Sequence, residues 1–67
     1  MKSKSSEIYD IRVALNETQE QFAERFGITR QTLNGWENGK LPHGRPTLEY
    51  LSRELAKLRR RLNRRRS

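Results

Sequence analysis

One segment of this 67-residue chain, residues 19–38 with the sequence QEQFAERFGITRQTLNGWEN, constrains the fold more than any other. Its pattern predicts two short amphipathic helices, over about residues 18–26 and 29–38, joined by a tight turn at Gly27. Ala23 lies four residues before that glycine, where a small side chain lets the second helix cross closely. The apolar residues at helical spacing form one candidate core: Phe22, Ala23, Phe26, Ile28, Leu33 and Trp36.

The ends of both helices have suitable capping residues. Thr18 and Gln21 have the spacing of a capping box, in which each side chain accepts from the other residue's backbone amide. Gly27 supplies the left-handed conformation that ends the first helix. Thr29 is placed to cap the second helix, and Gly39 is placed to end it. This layout is typical of a helix-turn-helix, whose second helix enters the major groove of DNA.

Gly35 interrupts the second helix, although glycine there costs about 1 kcal/mol relative to alanine. Its presence indicates that something approaches the helix backbone closely at this position. A neighbouring helix and DNA both remain possible at the level of sequence.

The flanking sequence predicts an all-α fold of four to five helices. The first helix is expected to begin near Ser5 or Ser6, to bury Ile8 and Ile11, and to stop near Asn16. The expected organisation is a flexible arm, a helix-turn-helix DNA-binding domain, a dimerising C-terminal helix and a basic tail, over residues 1–5, 6–56, 46–62 and 57–67.

The C-terminal helix has a leucine seam, defined by Leu48, Leu51, Leu55, Leu58 and Leu62. The spacing of three and four residues is that of a short heptad pattern. The first two leucines fit equally well in the core of the domain. The later ones fall where so small a domain has little left to cover, so we predict that Leu55, Leu58 and Leu62 form a dimer interface.

The charge of the chain is strongly asymmetric. The net charge is +7, and residues 57–67 contain seven basic residues and no acidic one. Such a segment favours polyanions, with nucleic acid ahead of anionic lipid. The alternative is a solvated helix end, where arginines also interact favourably with the helix dipole.

Several function classes find no support in the sequence. There is no Cys, which excludes disulfides and thiolate metal sites and fits a reducing cytoplasm. No apolar run is long enough to cross a membrane, and no signal peptide is recognisable. His43 has no partner at metal-ligand spacing, and no serine has a catalytic His or Asp partner. We expect no cofactor, metal, membrane association or enzymatic activity, and a cytoplasmic, nucleoid-associated bacterial or phage protein.

The chain resembles the lambda-repressor and Cro-like (XRE-type) helix-turn-helix family over about residues 8–55. The resemblance rests on Arg12, Thr18-Gln19, Phe22-Ala23, Gly27-Ile28, Trp36-Glu37-x-Gly39 and Pro42. The chain is also similar to small phage or mobile-element repressors, to antitoxins and to anti-CRISPR-associated regulators. Glu17 departs from the family, which usually has an apolar residue there, and Leu15 is expected to take over that packing. A second departure is the long leucine-seamed helix, where many relatives have two shorter helices.

The resemblance implies roles for individual residues. Base edges would be contacted by Arg30, Gln31, Asn34 and Gly35, because Arg suits guanine while Gln and Asn suit adenine. The DNA backbone would be contacted by Gln19, Thr29, Thr32, Asn38 and Lys40, and the tail would add Arg64, Arg65 and Arg66. Arg12 and Glu37 would form an ion pair between the first and third helices.

These observations lead to three functional hypotheses. The first is a transcriptional repressor or autoregulator that binds double-stranded DNA at a palindromic operator as a homodimer. The second is an antitoxin whose leucine-seamed helix binds a toxin protein. The third is an RNA-binding or non-specific nucleic-acid-binding protein driven by the arginine tail.

Overall fold

The structure, a computed structural model, describes residues 3–66, with side chains for residues 3–64. That part of the chain contains helices and no strand. The elements are α1 (Lys4–Ala14), α2 (Gln19–Phe26), α3 (Arg30–Glu37) and α4 (Arg45–Arg66). The predicted all-α fold with a long C-terminal helix is therefore confirmed.

Helix α1 begins earlier than the sequence predicted. Ser3, rather than Ser5 or Ser6, is the N-cap, and its hydroxyl accepts from the Ser6 amide at 3.1 Å. Starting there buries Ser5 and lets Lys4 pair with Glu7 at 3.3 Å. Residues 3–5 therefore belong to the folded domain rather than to a flexible arm, while residues 1 and 2 of that predicted arm lie outside the described residues.

The first three helices all end in the same way, at a residue with positive φ. These residues are Asn16, Gly27 and Gly39, with φ of 59°, 68° and 97°. In each case the next backbone amide donates to the carbonyl five residues back, at 3.2, 3.1 and 2.8 Å respectively. This pattern is the Schellman motif, which satisfies carbonyls at a helix end. The predicted stops are therefore confirmed, and the turns between the helices are short and fixed.

The core combines apolar side chains from all four helices. Its buried members are Ile8, Ile11, Phe22, Ala23, Leu33, Trp36, Leu51, Leu55 and Leu58. Phe26, also expected in the core, is partly buried against it, and its ring meets those of Phe22 and Trp36 edge-on at centroid distances of 5.1 and 6.1 Å. Leu15 packs against this core, as expected from its predicted compensation for Glu17.

The leucine seam is part of this core, which corrects the prediction of a dimer interface. Leu55 and Leu58 are 1% and 5% exposed within a single chain, and Leu62 is partly buried against the same cluster. The reason is that α4 is one unbroken helix of 22 residues that packs against α1. Its later leucines therefore join the same cluster as Ile8 and Ile11 of α1.

Candidate nucleic-acid interface

Helices α2 and α3 form the helix-turn-helix, and their caps fix its geometry. Thr18 and Gln21 make the full capping box: the Gln21 amide donates to the Thr18 hydroxyl at 3.1 Å, and the Thr18 amide donates to Gln21 Oε1 at 2.9 Å. The box leaves the amides of Gln19 and Glu20 without an acceptor among residues 3–64. Free amides in the first turn of a helix suit a phosphate oxygen.

Helix α3 has one polar face and one buried face. Leu33 and Trp36 lie in the core, whereas Arg30, Gln31 and Asn34 are exposed on the opposite side. Positions i, i+1 and i+4 of a helix share one side, so these three side chains form a single outward face. All are donors or acceptors of the types that read base edges.

The ion pair implied by the resemblance is present and joins α1 to the last turn of α3. Arg12 Nε donates to Glu37 Oε2 at 2.7 Å, and its Nη2 donates to Oε1 at 3.3 Å. The side chains are only 14% and 6% exposed. Arg12 also donates to the Glu17 carbonyl at 3.0 Å and lies over the Tyr9 ring at 5.3 Å. Because desolvation offsets much of the attraction in such a pair, its main effect is to fix the angle of α3.

Gln19 links this ion pair to the exposed face of α3, which the sequence did not indicate. Its Nε2 donates to Glu37 Oε1 at 3.0 Å and to Asn34 Oδ1 at 3.2 Å. The side chain of Asn34 is thereby held with its oxygen towards Gln19. No spacing rule signals this contact, because 15 and 18 residues separate the partners along the chain.

Residues assigned to the DNA backbone also cap the helix that would bind DNA. The Thr29 hydroxyl accepts from the Thr32 amide at 3.1 Å and lies 2.9 Å from the Thr32 hydroxyl. Asn38 Nδ2 donates to the Asn34 carbonyl at 2.7 Å. These side chains are exposed at the two ends of α3, and Lys40 follows on the surface. They therefore lie at the rim of the exposed face rather than at its centre.

Gly35 does not need to be glycine for the fold itself. A Cβ built on it would have Lys40 Cβ as its near neighbour, at an ordinary contact distance of 3.7 Å. A crossing helix is thus not the reason for this residue.

The structure brings the helix-turn-helix residues together and separates them from the tail. A surface depression is lined by Arg12, Thr18, Gln19, Glu20 and Arg30. Arg64 lies elsewhere, in a cleft that it shares with Leu15 and Glu17, while the side chains of Arg65 and Arg66 lie outside the described residues. We use the name recognition surface for Gln19, Arg30, Gln31 and Asn34.

Two further ion pairs were also not predicted. Glu17, between α1 and α2, pairs with Arg25 of α2. Glu7 of α1 pairs with Arg59 and so links α1 to α4. No cluster of acidic or histidine side chains in residues 3–64 could hold a metal ion. Across the described elements, no helix has the length and apolarity that a membrane span requires.

Comparison with known proteins agrees with this geometry. A family model described as helix-turn-helix matches residues 8–64. The protein therefore belongs to the Cro/C1-type (XRE) helix-turn-helix family of DNA-binding transcription regulators. Searches of curated proteins and of solved structures found no match to the chain.

Proposed function

We propose that this protein is a sequence-specific repressor or autoregulator that binds a palindromic operator as a homodimer. The observation that best supports it is the network in which Glu37 and Gln19 fix the position of Asn34 on the exposed face of α3. A side chain held in place before binding loses less entropy when it meets a base. Such preparation is expected of a surface that discriminates between sequences.

The base contacts are assigned to the exposed face of α3. Arg30 would donate to guanine O6 and N7, and Gln31 and Asn34 would each bond adenine N6 and N7. Gly35 would allow the duplex to approach the helix backbone, a role supported by the finding that a Cβ here would make only an ordinary contact, with Lys40 Cβ at 3.7 Å.

The backbone contacts are assigned to the rim of that face and to the tail. They are Gln19, Thr29, Thr32, Asn38, Lys40, Arg64, Arg65 and Arg66. The unsatisfied amides at the start of α2 support a phosphate beside Gln19. The side-chain amide of Gln19 would then hold Asn34, while the phosphate would bind the free backbone amides in the first turn of α2.

The homodimer cannot use Leu55 and Leu58, because both are buried within one chain. Palindromic operators need two recognition helices about 34 Å apart, so a different surface has to join the subunits. The same burial removes the stripe on which the antitoxin alternative relied, and no contact in the described chain favours that alternative.

The test of this function is a footprint on the DNA upstream of the protein's own gene, followed by two α3 variants. Arg30→Ala and Gln31→Ala should each lose about 1–3 kcal/mol on the protected sequence, with a smaller loss on scrambled DNA. Glu49→Gln, on the exposed surface of α4, is the control and should keep the wild-type ratio. If both α3 variants kept the wild-type ratio between operator and scrambled DNA, α3 would not be the reading helix.

A further inference from the structure

Three basic residues of α4 form a stripe on the side of the helix that faces away from the core. We call Arg53, Lys57 and Arg60 the outer stripe; all three are exposed. Their spacing of four and three residues places them on one side of a helix. The buried leucines Leu51 and Leu55 lie on the opposite side. The outer stripe spans about 10 Å along the helix axis.

The positive charge of this stripe is poorly compensated. Lys57 pairs with Glu54 at 3.2 Å, but its side chain remains 70% exposed. Neither Arg53 nor Arg60 has an ion-pair partner among residues 3–64. Glu49, one turn before Arg53, makes no ion pair with it either. Three cations on a rigid helix therefore face solvent together.

This stripe and the exposed face of α3 belong to different helices that bury their opposite sides in one core. Leu33 and Trp36 of α3 and Leu51 and Leu55 of α4 are members of the same buried cluster. Helix α1 packs against both α3 and α4. The two polar surfaces therefore face away from a shared core on two separate helices, as two separate contacts with DNA would require.

We infer that the outer stripe binds the phosphate backbone of a second DNA duplex; the first duplex is the one that the proposed function places on α3. A duplex carries one negative charge per about 1.7 Å of its axis when both strands are counted, so a length of duplex equal to the stripe carries about six phosphate charges, of which only a part can face it. Each chain would thereby connect two segments of DNA.

Other occupants fit the stripe less well. A protein partner usually buries an aromatic or aliphatic anchor at the centre of its interface, but the residue within the stripe is Ala56, and the half-exposed ring of Tyr50 lies beyond its end. A membrane surface would need an apolar helix face to insert, and the apolar face of α4 is already buried in the core. Closely spaced cations without a central apolar anchor match a phosphate backbone best.

The test is a bridging assay with two 30-base-pair duplexes of unrelated sequence, one attached to beads and one fluorescent. The variant is Arg53→Gln/Lys57→Gln/Arg60→Gln. Its matched control is Lys4→Gln/Arg45→Gln/Arg61→Gln, which removes the same number of charges from residues outside the stripe and leaves the pair between Glu7 and Arg59 in place. Binding of each variant to a single duplex is measured in parallel over a range of salt concentrations, and sedimentation velocity gives the oligomeric state of each.

The stripe variant should capture roughly tenfold less of the fluorescent duplex than the control, while both still bind the bead-bound duplex. Its dependence of log affinity on log salt should flatten by up to about 0.9 for each phosphate that the variant no longer neutralises. Adding Arg30→Ala to the stripe variant should weaken binding to the protein's own operator, but it should leave the flattening caused by the stripe changes as it was. A failure of the proposed function, seen at the operator, can therefore be distinguished from a failure of this inference, seen in the bridging assay.

Three results would overturn the inference. Bridging that survives in the stripe variant would point to two α3 helices of a dimer as the bridge. Equal loss in the matched control would point to net charge rather than to this stripe. Displacement of the fluorescent duplex by polyglutamate at equal charge concentration would favour an acidic protein as the occupant.

Discussion

The recognition surface and the outer stripe are both polar, but two side chains of the recognition surface are linked by hydrogen bonds to a buried ion pair, and none of the outer stripe is. Around the recognition surface, Gln19 and Asn34 are tied into hydrogen bonds that lead to a nearly buried ion pair. On the outer stripe, Arg53 and Arg60 make no ion pair with any residue from 3 to 64. The first arrangement fixes geometry, which discrimination between bases requires. The second offers exposed charge, which suits phosphates of any sequence.

The difference also follows from the core beneath each region. The ion pair that orients α3 rests on α1, and the exposed face of α3 is backed by Leu33 and Trp36. The geometry of the outer stripe depends only on α4 being helical and on its buried leucines holding it against the domain. Changes to the core should therefore damage the recognition surface more than the stripe, and changes to surface charge should do the opposite.

The largest effect is expected from removing the aromatic support of α3. Trp36→Ala or Phe22→Ala should lower the free energy of unfolding by roughly 3–5 kcal/mol, because each is almost fully buried. That is a large share of the stability of a small domain. Thermal unfolding monitored by circular dichroism would measure it. A midpoint that moved by only one or two degrees would mean that these rings are not core residues.

Breaking the ion pair should come next in size and should affect both stability and recognition. Glu37→Gln would leave the Arg12 guanidinium largely buried beside a neutral group, at a cost of about 3 kcal/mol. It would also remove the carboxylate that holds Gln19. Urea unfolding and operator titration would measure the two effects.

A double variant separates the charge from its geometry. Arg12→Met/Glu37→Met should recover part of the stability, since a buried ion pair replaced by apolar residues is often tolerated. Operator affinity should stay low, because Gln19 would still lack the Glu37 carboxylate that holds it in place beside Asn34. Recovery of both properties together would show that the network contributes stability alone and not the positioning of Asn34.

The sequence was sufficient for most of the helix-turn-helix because local rules determine it. Caps at Thr18 and Thr29 and left-handed stops at Gly27 and Gly39 act within a few residues, so they could be placed without tertiary information. The ion pair between Arg12 and Glu37 was accessible only through the family resemblance.

What could not be predicted from the sequence depends on distance in space. Leu58 could pack in the core of its own domain or against a second subunit, and a heptad pattern is the same in both cases. The outcome depends on how α4 lies across the other three helices. The bonds from Gln19 likewise require the relative position of α2 and α3. The start of α1 was missed for another reason: Ser3, Ser5 and Ser6 are all good caps, and local preference does not choose among them.

Gly35→Ala should separate stability from binding within the recognition surface. Alanine adds helix propensity of up to about 1 kcal/mol, and its Cβ meets only an ordinary contact within the chain. The variant should therefore unfold at the same or a higher urea concentration than the wild type. Its affinity for the operator should fall, because the added methyl group would lie where the duplex approaches. Wild-type affinity together with raised stability would show that DNA does not come close to this backbone.

The smallest effect is expected at the end of the tail. Truncation after Leu62 removes Arg64, Arg65 and Arg66 but keeps every buried leucine. Because binding to phosphates releases counterions, affinity for operator and scrambled DNA should fall by the same factor, and the salt dependence should flatten by up to about 0.9 for each phosphate that the shortened tail no longer reaches. Titrations at several salt concentrations, with Arg64→Lys as a charge-preserving control, would measure this.

A loss confined to the operator would give the tail a role in reading sequence and would remove the distinction between the two regions. A marked loss of thermal stability would point instead to the cleft that Arg64 shares with Leu15 and Glu17. The tail would then act by holding α4 on the domain, and its effect on DNA would follow from the fold. We expect an equal loss of affinity for operator and scrambled DNA, because the tail arginines only add charge to a helix that its buried leucines already hold in place.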